Sequence, residues 1–176
     1  MTDPLDQAGS HRRTGDPRAG ADFDSELARA VAMCAADAGF LAGLEQILTQ
    51  ADRAAAQRRF DCRQCGQCCR FEQFGHRLYV TAGELALMLR LAPGQAPARP
   101  DEAGLCPYQD QARCLARVGR TLGCRLFFCD PAANEWFCDA YESFHQQIKL
   151  LHAAHGLPYV YAELTAALAE LASAGQ

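Results

Sequence analysis

Ten of the 176 residues are cysteine, and four of these fall within one short run: Cys62, Cys65, Cys68 and Cys69, spaced C-x-x-C-x-x-C-C. Two intervening residues let a tight turn aim two sulfurs at one point, and amides inside such a turn face the sulfurs and stabilise thiolate charge. Gly66, within the run, suits a turn that needs a positive φ. A looser set follows at Cys106, Cys114, Cys124 and Cys129. A small loop-rich segment buries too little apolar surface to hold itself together, and metal ligation supplies stability that such a core lacks. These eight cysteines are the candidate metal ligands. Cys34 and Cys138 lie among apolar residues in helical patterns and are expected to be buried helix thiols.

The rest of the chain narrows the setting. Residues 1–24 contain no apolar stretch, so no secretory signal is expected and the chain is read as cytoplasmic. Thiols stay reduced in that compartment, which turns many cysteines toward metal or redox chemistry and away from a disulfide framework. No run of eighteen apolar residues occurs, so no membrane span is expected. The net charge of −4 and a pI of about 5.7 argue against a nucleic-acid partner, which selects for a basic face. Lys149 is the sole lysine, so chemistry that needs one has a single candidate.

Periodicity places the cysteines between helical arms. Residues 1–22 are polar, rich in Gly, Pro, Asp and Arg, and are expected to form a disordered tail. Residues 23–59 read as a helical arm, with Leu27, Val31, Cys34, Leu41, Leu44, Ile47 and Leu48 at spacings of three and four. Asp24 or Ser25 is expected to cap it, and Gly39 to break it in two. Residues 60–131 form the cysteine-cluster domain. There Arg77 to Thr81 reads as a short strand, and Thr81 with Glu84 forms a capping box for a helix from Ala82 to Leu91. A short hairpin is expected around Gln109 to Ala112, then a loop or strand from Val118 to Asp130. Residues 132–176 read as C-terminal helices packed on the same domain. One runs from Pro131 to Gly156, with Trp136, Phe137, Tyr141 and Phe144 expected to pack on the cysteine segment, and the last runs from Tyr161 to Ser173. The expected fold class is mostly α, with a small cysteine-rich metal knot containing short β-strands.

Cys62 to Cys69, then Tyr79-Val80-Thr81 leading into the helix with Glu84, then Gly104 to Tyr108, Cys114, and Cys124-Arg125-Leu126-Phe127 together resemble the CxxCxxCC family. This is the zinc- or iron-chelating domain of the YkgJ-like cysteine-cluster proteins. The resemblance covers roughly Phe60 to Pro131 and implies metal binding by the cysteines. The family usually carries an Arg-Pro pair before its Cys-Arg. Here Arg120 takes the arginine place and Thr121 stands where the proline usually is.

Soft thiolates select zinc, copper(I) or iron–sulfur clusters. The run C-x-x-C-x-x-C collects three thiolates from one loop in the manner of ferredoxin-type clusters, whereas four-cysteine zinc sites more often use two separate C-x-x-C pairs. The spacing therefore leans slightly to an iron–sulfur cluster, with zinc as the alternative. Arg63, Arg70, Arg120 and Arg125 are available to offset thiolate charge. Three functions remain open: electron transfer or redox sensing with a redox partner, a zinc-stapled module for a protein partner, and a metal-dependent oxidoreductase or protein-modifying enzyme. No phosphate-cradling glycine loop, dinucleotide fingerprint or Ser-His-Asp arrangement is present, so no catalytic residue is assigned. The acidic and histidine residues nearest the cysteines are Asp61, Glu72, His76, Asp110 and Asp130, of which Asp61 and Asp130 read as turn or cap residues. His145, His152 and His155 read as ordinary helix residues.

Overall fold

A computed structural model describes residues 17–58, 60, 66–75, 77–92, 105–111 and 113–174; within these, the side chains of 17–25, 67, 72, 74 and 174 are not described. Cys62, Cys65, His76, Asp61 and Arg63, and the expected tail up to residue 16, lie outside the described residues.

The described chain is mostly helical with short antiparallel strands, as the fold class anticipated. Helix α1 (Pro17–Ala36) begins earlier than expected, so Asp24 and Ser25 lie inside it and do not cap it. Its Leu27, Ala30, Val31 and Cys34 point into the core. The break before α2 (Ala38–Ala56) falls at Asp37, not Gly39, and the two helices meet at 92°. Asp37 sets that corner: its carboxylate accepts from the Phe40 amide at 2.8 Å and pairs with His155 Nδ1 at 2.9 Å. The Phe40 amide and His155 hold that carboxyl below its ordinary range.

Strand β1 (Tyr79–Thr81) runs directly into α4 (Ala82–Leu91), which follows the short α3 (Phe71–Phe74). Thr81 and Glu84 form the capping box read from the sequence: the Glu84 amide donates to the Thr81 hydroxyl at 3.2 Å, and the Thr81 amide donates to the Glu84 carboxylate at 2.9 Å. α4 is buried on every side from Ala82 to Met88 because α1 packs along it and α2 crosses it. Gly83 permits that crossing. A Cβ there would sit 2.6 Å from Phe40 Cζ and 3.0 Å from His152 Nε2. Gly83→Ala is expected to lower stability by about 1–3 kcal/mol through overpacking, read as a fall in denaturation midpoint.

Strands β2 (Gln109–Asp110) and β3 (Arg113–Cys114) form the anticipated hairpin. The segment after it departs from expectation. In place of a loop or strand, residues Leu122–Leu126 form a helical turn, α5, carrying Cys124. Five residues are too few to show a periodic stripe, and the turn is held from outside, as described below.

A 3₁₀ turn at Pro131–Ala133 leads into α6 (Asn134–Ala154), with the Asp130 carboxylate capping the turn at the Ala132 amide. The wholly buried positions of α6 are His145, Ile148 and His152, all in its second half, where α2 covers it. At its start Trp136 and Phe137 are half-buried, and Cys138 turns to solvent. The expectation of a buried Cys138 therefore fails, while Cys34 is fully enclosed as anticipated. The last element also begins differently. Residues Tyr161–Glu163 form a strand, β4, antiparallel to β1 with Val80 opposite Ala162, and α7 (Leu164–Ala174) follows. Local pattern favoured helix through Tyr161; pairing with a strand distant in sequence overrode it.

His145 and His152 are buried among aromatic rings and are not ordinary surface residues of a helix. Tyr159 and Tyr161 flank His145, and Phe40 packs edge-on to His152 at 4.7 Å. Burial lowers the pKa of both; the Lys149 charge adds to the effect at His145, and the backbone of Pro158 and Leu157 partly offsets it at His152. Both are thus held neutral in the fold. Their contribution to stability is complete above about pH 6.5, the free-histidine value, and is lost as pH falls through their lower folded values. Denaturation between pH 7.5 and 5 is expected to show stability falling on the acid side, and replacing His145 with Gln is expected to flatten that slope.

Candidate functional site

Two backbone pairings gather the cysteines. A 3₁₀ turn at Gln67–Cys69 closes with the Cys69 amide donating to the Gly66 carbonyl at 3.1 Å. Gly66 takes φ of 70°, the left-handed region its position suggested. The Cys106 amide donates to the Cys69 carbonyl at 2.9 Å, beside an antiparallel bridge between Arg70 and Leu105. The first and second cysteine segments are therefore paired directly. The Leu115 amide then donates to the Tyr108 carbonyl at 2.8 Å, folding the β2–β3 hairpin back so that Cys114 faces the same side.

The result is a cavity of about 550 Å³ lined by Cys68, Cys69, Cys106, Cys114 and Cys124. Arg113, Arg117 and Arg120 border it, and Phe71, Leu78, Met88, Phe127 and Leu164 form its apolar wall. The thiols of Cys68, Cys69 and Cys106 are hydrogen-bonded in series. The bond to Cys69 and burial push the Cys68 thiol far up; the bond to Cys106 and burial push Cys69 up to about 12. Burial raises Cys114, with Arg120 and Arg117 opposing, and pushes Cys124 up to about 11. Crowded thiols that raise one another share protons; a bound cation would reverse that preference and hold them as thiolates.

Three residues outside the cysteine pattern build this site. Glu84, wholly buried in the capping box of α4, extends its other carboxylate oxygen to the Leu122 amide at 2.7 Å. One side chain thus caps α4 locally and α5 from far along the chain. Asp52 on α2 pairs with the guanidinium of Arg125 and lies 4.0 Å from that of Arg120. Arg125 also donates to the carbonyls of Arg120 at 2.7 Å and Val118 at 2.6 Å, which ties the chain before α5 to α2. Arg125 is therefore a structural clamp, not a free counter-charge. Arg120 borders the cavity and donates to the Cys124 carbonyl at 3.2 Å. The third is Tyr108, a cavity-wall residue beside Cys106, whose buried hydroxyl has no hydrogen-bond partner among the described residues. Buried polar groups are almost always paired, so an orphaned donor beside sulfurs marks a place for an acceptor. Sequence reading passed over Asp52, placed Tyr108 in the family resemblance without a role, and took Glu84 as a local cap, since the partners of Asp52 and Glu84 lie far along the chain.

Of the predicted ligands, five line the one cavity. Cys129 does not: it is exposed beyond α5 and is not among the described residues of the cavity wall. The chain leaves α5 at Phe127 and turns toward Asp130, carrying Cys129 outward. Cys62 and Cys65 lie outside the described residues. Arg70 is exposed and donates to Gln73, and Asp110 is exposed on the hairpin. The aromatic residues of α6 reach the site's rear: Phe137 packs edge-on against Phe127 at 5.9 Å, and Trp136 packs against Phe128 and Phe60.

Among the described residues, no three Cys, His, Asp or Glu side chains are already arranged around a common point that would hold a metal ion. The donor chemistry nonetheless suits a soft metal: all-sulfur, with arginines at the rim and an unpaired buried hydroxyl. No single helix among the described residues is long and apolar enough to cross a membrane; α1 and α2 reach that length and composition only together, across their 92° bend. In comparisons with protein-family models, with curated proteins and with solved structures, nothing matches this chain.

Proposed function

We propose that this chain is a cytoplasmic metal-binding protein of the cysteine-cluster kind it resembles in sequence, holding an iron–sulfur cluster or zinc through thiolates and serving electron transfer or redox sensing with a protein partner. The observation that carries the reading is the convergence of five cysteines from three separate segments on one cavity. Cys68, Cys69, Cys106, Cys114 and Cys124 would supply ligands from the cavity wall, and Cys62, Cys65 and Cys129 complete the pool. When bound, a cluster would supply one-electron redox chemistry, and zinc would supply a structural staple. Arg120 and Arg117 balance thiolate charge, and Phe71, Phe127 and Leu164 exclude water from the sulfurs.

The test is anaerobic purification of the untagged chain, then a visible spectrum with elemental analysis for iron, zinc and acid-labile sulfide. Brown protein with near-equal iron and sulfide is the expected result. Colourless protein with stoichiometric zinc would move the function to a stapled interaction module. Protein with neither would overturn the reading.

A further inference from the structure

Thr121 occupies the N-cap position of α5 with φ −70° and ψ 166°. A threonine there ordinarily gives its oxygen to an amide of the first helical turn. Thr121 makes no such cap bond. The first amide of the turn, that of Leu122, is already taken by Glu84 at 2.7 Å. The Thr121 hydroxyl is directed instead to the sulfur of Cys124, at 3.2 Å. Thr121 is 1% exposed, so water does not compete for that bond. Its backbone angles are also ones proline adopts, so the turn itself does not require threonine. What threonine adds at this position is the hydroxyl.

We propose that Thr121 is a positioning residue of the sulfur site: its hydroxyl holds the Cys124 sulfur toward the cavity and stabilises charge on it when Cys124 is a ligand. The proposal rests on the metal-binding reading above. Hydrogen bonds to a charged acceptor are about twice as strong as neutral ones, and groups that orient metal ligands in this way typically contribute about 10–100-fold in metal affinity.

The test uses the full chain, reduced and anaerobic, loaded with cobalt(II) as a spectroscopic probe and with zinc in competition against a chromophoric chelator. Thr121→Val removes the hydroxyl at nearly constant volume, Thr121→Ala removes it with less steric demand, and Thr121→Ser retains it. Expected is a loss of about 10–100-fold in affinity for Val and Ala, with the thiolate-to-cobalt charge-transfer band moving to lower energy, and recovery of both by Ser. Two removal variants are compared so that misfolding of one does not decide the outcome. Wild-type affinity and band position in Val and Ala would overturn the proposal. Weakened binding with an unmoved band and no recovery by Ser would reduce Thr121 to packing and overturn it as well. A wild-type chain that takes up neither cobalt nor zinc, and carries neither iron nor sulfide when purified anaerobically, would sink the metal reading, and this inference with it.

Discussion

Cys69→Ser is expected to lose bound metal almost completely, whereas Cys34→Ser is expected to keep wild-type metal content. Cys69 sits between Cys68 and Cys106 in the thiol series, and its carbonyl receives the Cys106 amide, so it stands where the two cysteine segments join. Serine at this position preserves the backbone pairing and deletes the sulfur. Because metal binding free energy is also folding free energy, a loss of more than about 100-fold in affinity should carry a matching loss of stability. Cys34 provides the contrast. It is a thiol wholly enclosed by α1 and its neighbours, pushed up to about 11 by burial with Asp37 adding to the effect. Such a thiol is inert. Serine there costs about 1 kcal/mol for a buried hydroxyl, which can bond back along the helix, and should leave metal content unchanged. Elemental analysis of the two variants after chelator challenge checks both statements; equal metal content would remove Cys69 from the ligand set.

The second large effect is expected at Glu84, a residue that touches no sulfur. Its carboxylate accepts from the Thr81 amide and hydroxyl, each at 2.9 Å, and from the Leu122 amide at 2.7 Å. Burial raises its pKa, and these donors oppose the rise. Glu84→Ala removes the carboxylate half of the α4 capping box and the remote cap of α5, and strands three buried donors, while the Thr81 hydroxyl still accepts from the backbone amide of residue 84. With each cap at about 1 kcal/mol and the stranded donors adding more, a loss of about 3 kcal/mol or greater is expected. Glu84→Gln keeps the shape and one acceptor oxygen but turns an amide toward a donor, so roughly half that loss is expected. Urea denaturation of the purified protein measures both. Because α5 carries Cys124, Glu84→Ala should also loosen metal, which tryptophan-monitored unfolding alone would not reveal and chelator competition would. Equal stability of the Ala variant and wild type would remove Glu84 from its double-capping role.

The sequence by itself determined what short-range chemistry can determine. Thr81 and Glu84 are three residues apart, and the capping box needs only that spacing. Gly66 had to serve a turn whose φ is positive, and Pro131 and Gly156 bound the long helix between them. The apolar spacing in residues 23–59 specified helix, though the break expected at Gly39 falls at Asp37, and the C-x-x-C-x-x-C-C run singled out the thiols without any structure. Where local pattern competed with a distant partner, it misled. Tyr161–Glu163 is expected to open the last helix but pairs with β1, where Val80 and Ala162 stand opposite each other, both buried. Cys138 lies among apolar residues of α6 yet faces solvent, because at helical spacing it falls off the face that Phe137, Tyr141, Phe144 and Ile148 turn inward. Cys129, a ligand candidate by its place in the cysteine pattern, is exposed past α5 and outside the described wall of the cavity.

Only the tertiary structure decided how the site is assembled. Nothing in the spacing of Cys106, Cys114 and Cys124 says that they meet Cys68 and Cys69; the Cys106–Cys69 backbone bond and the returning hairpin do. Nothing local marks Asp52 as the anchor of Arg125, or Glu84 as the cap of a helix that begins at Leu122. Those bonds join segments that sequence distance keeps independent, and a pattern written in neighbouring residues carries no record of them. Residue type and near spacing supplied the sulfur chemistry, while long-range hydrogen bonds between segments far apart in sequence selected which sulfurs share one cavity.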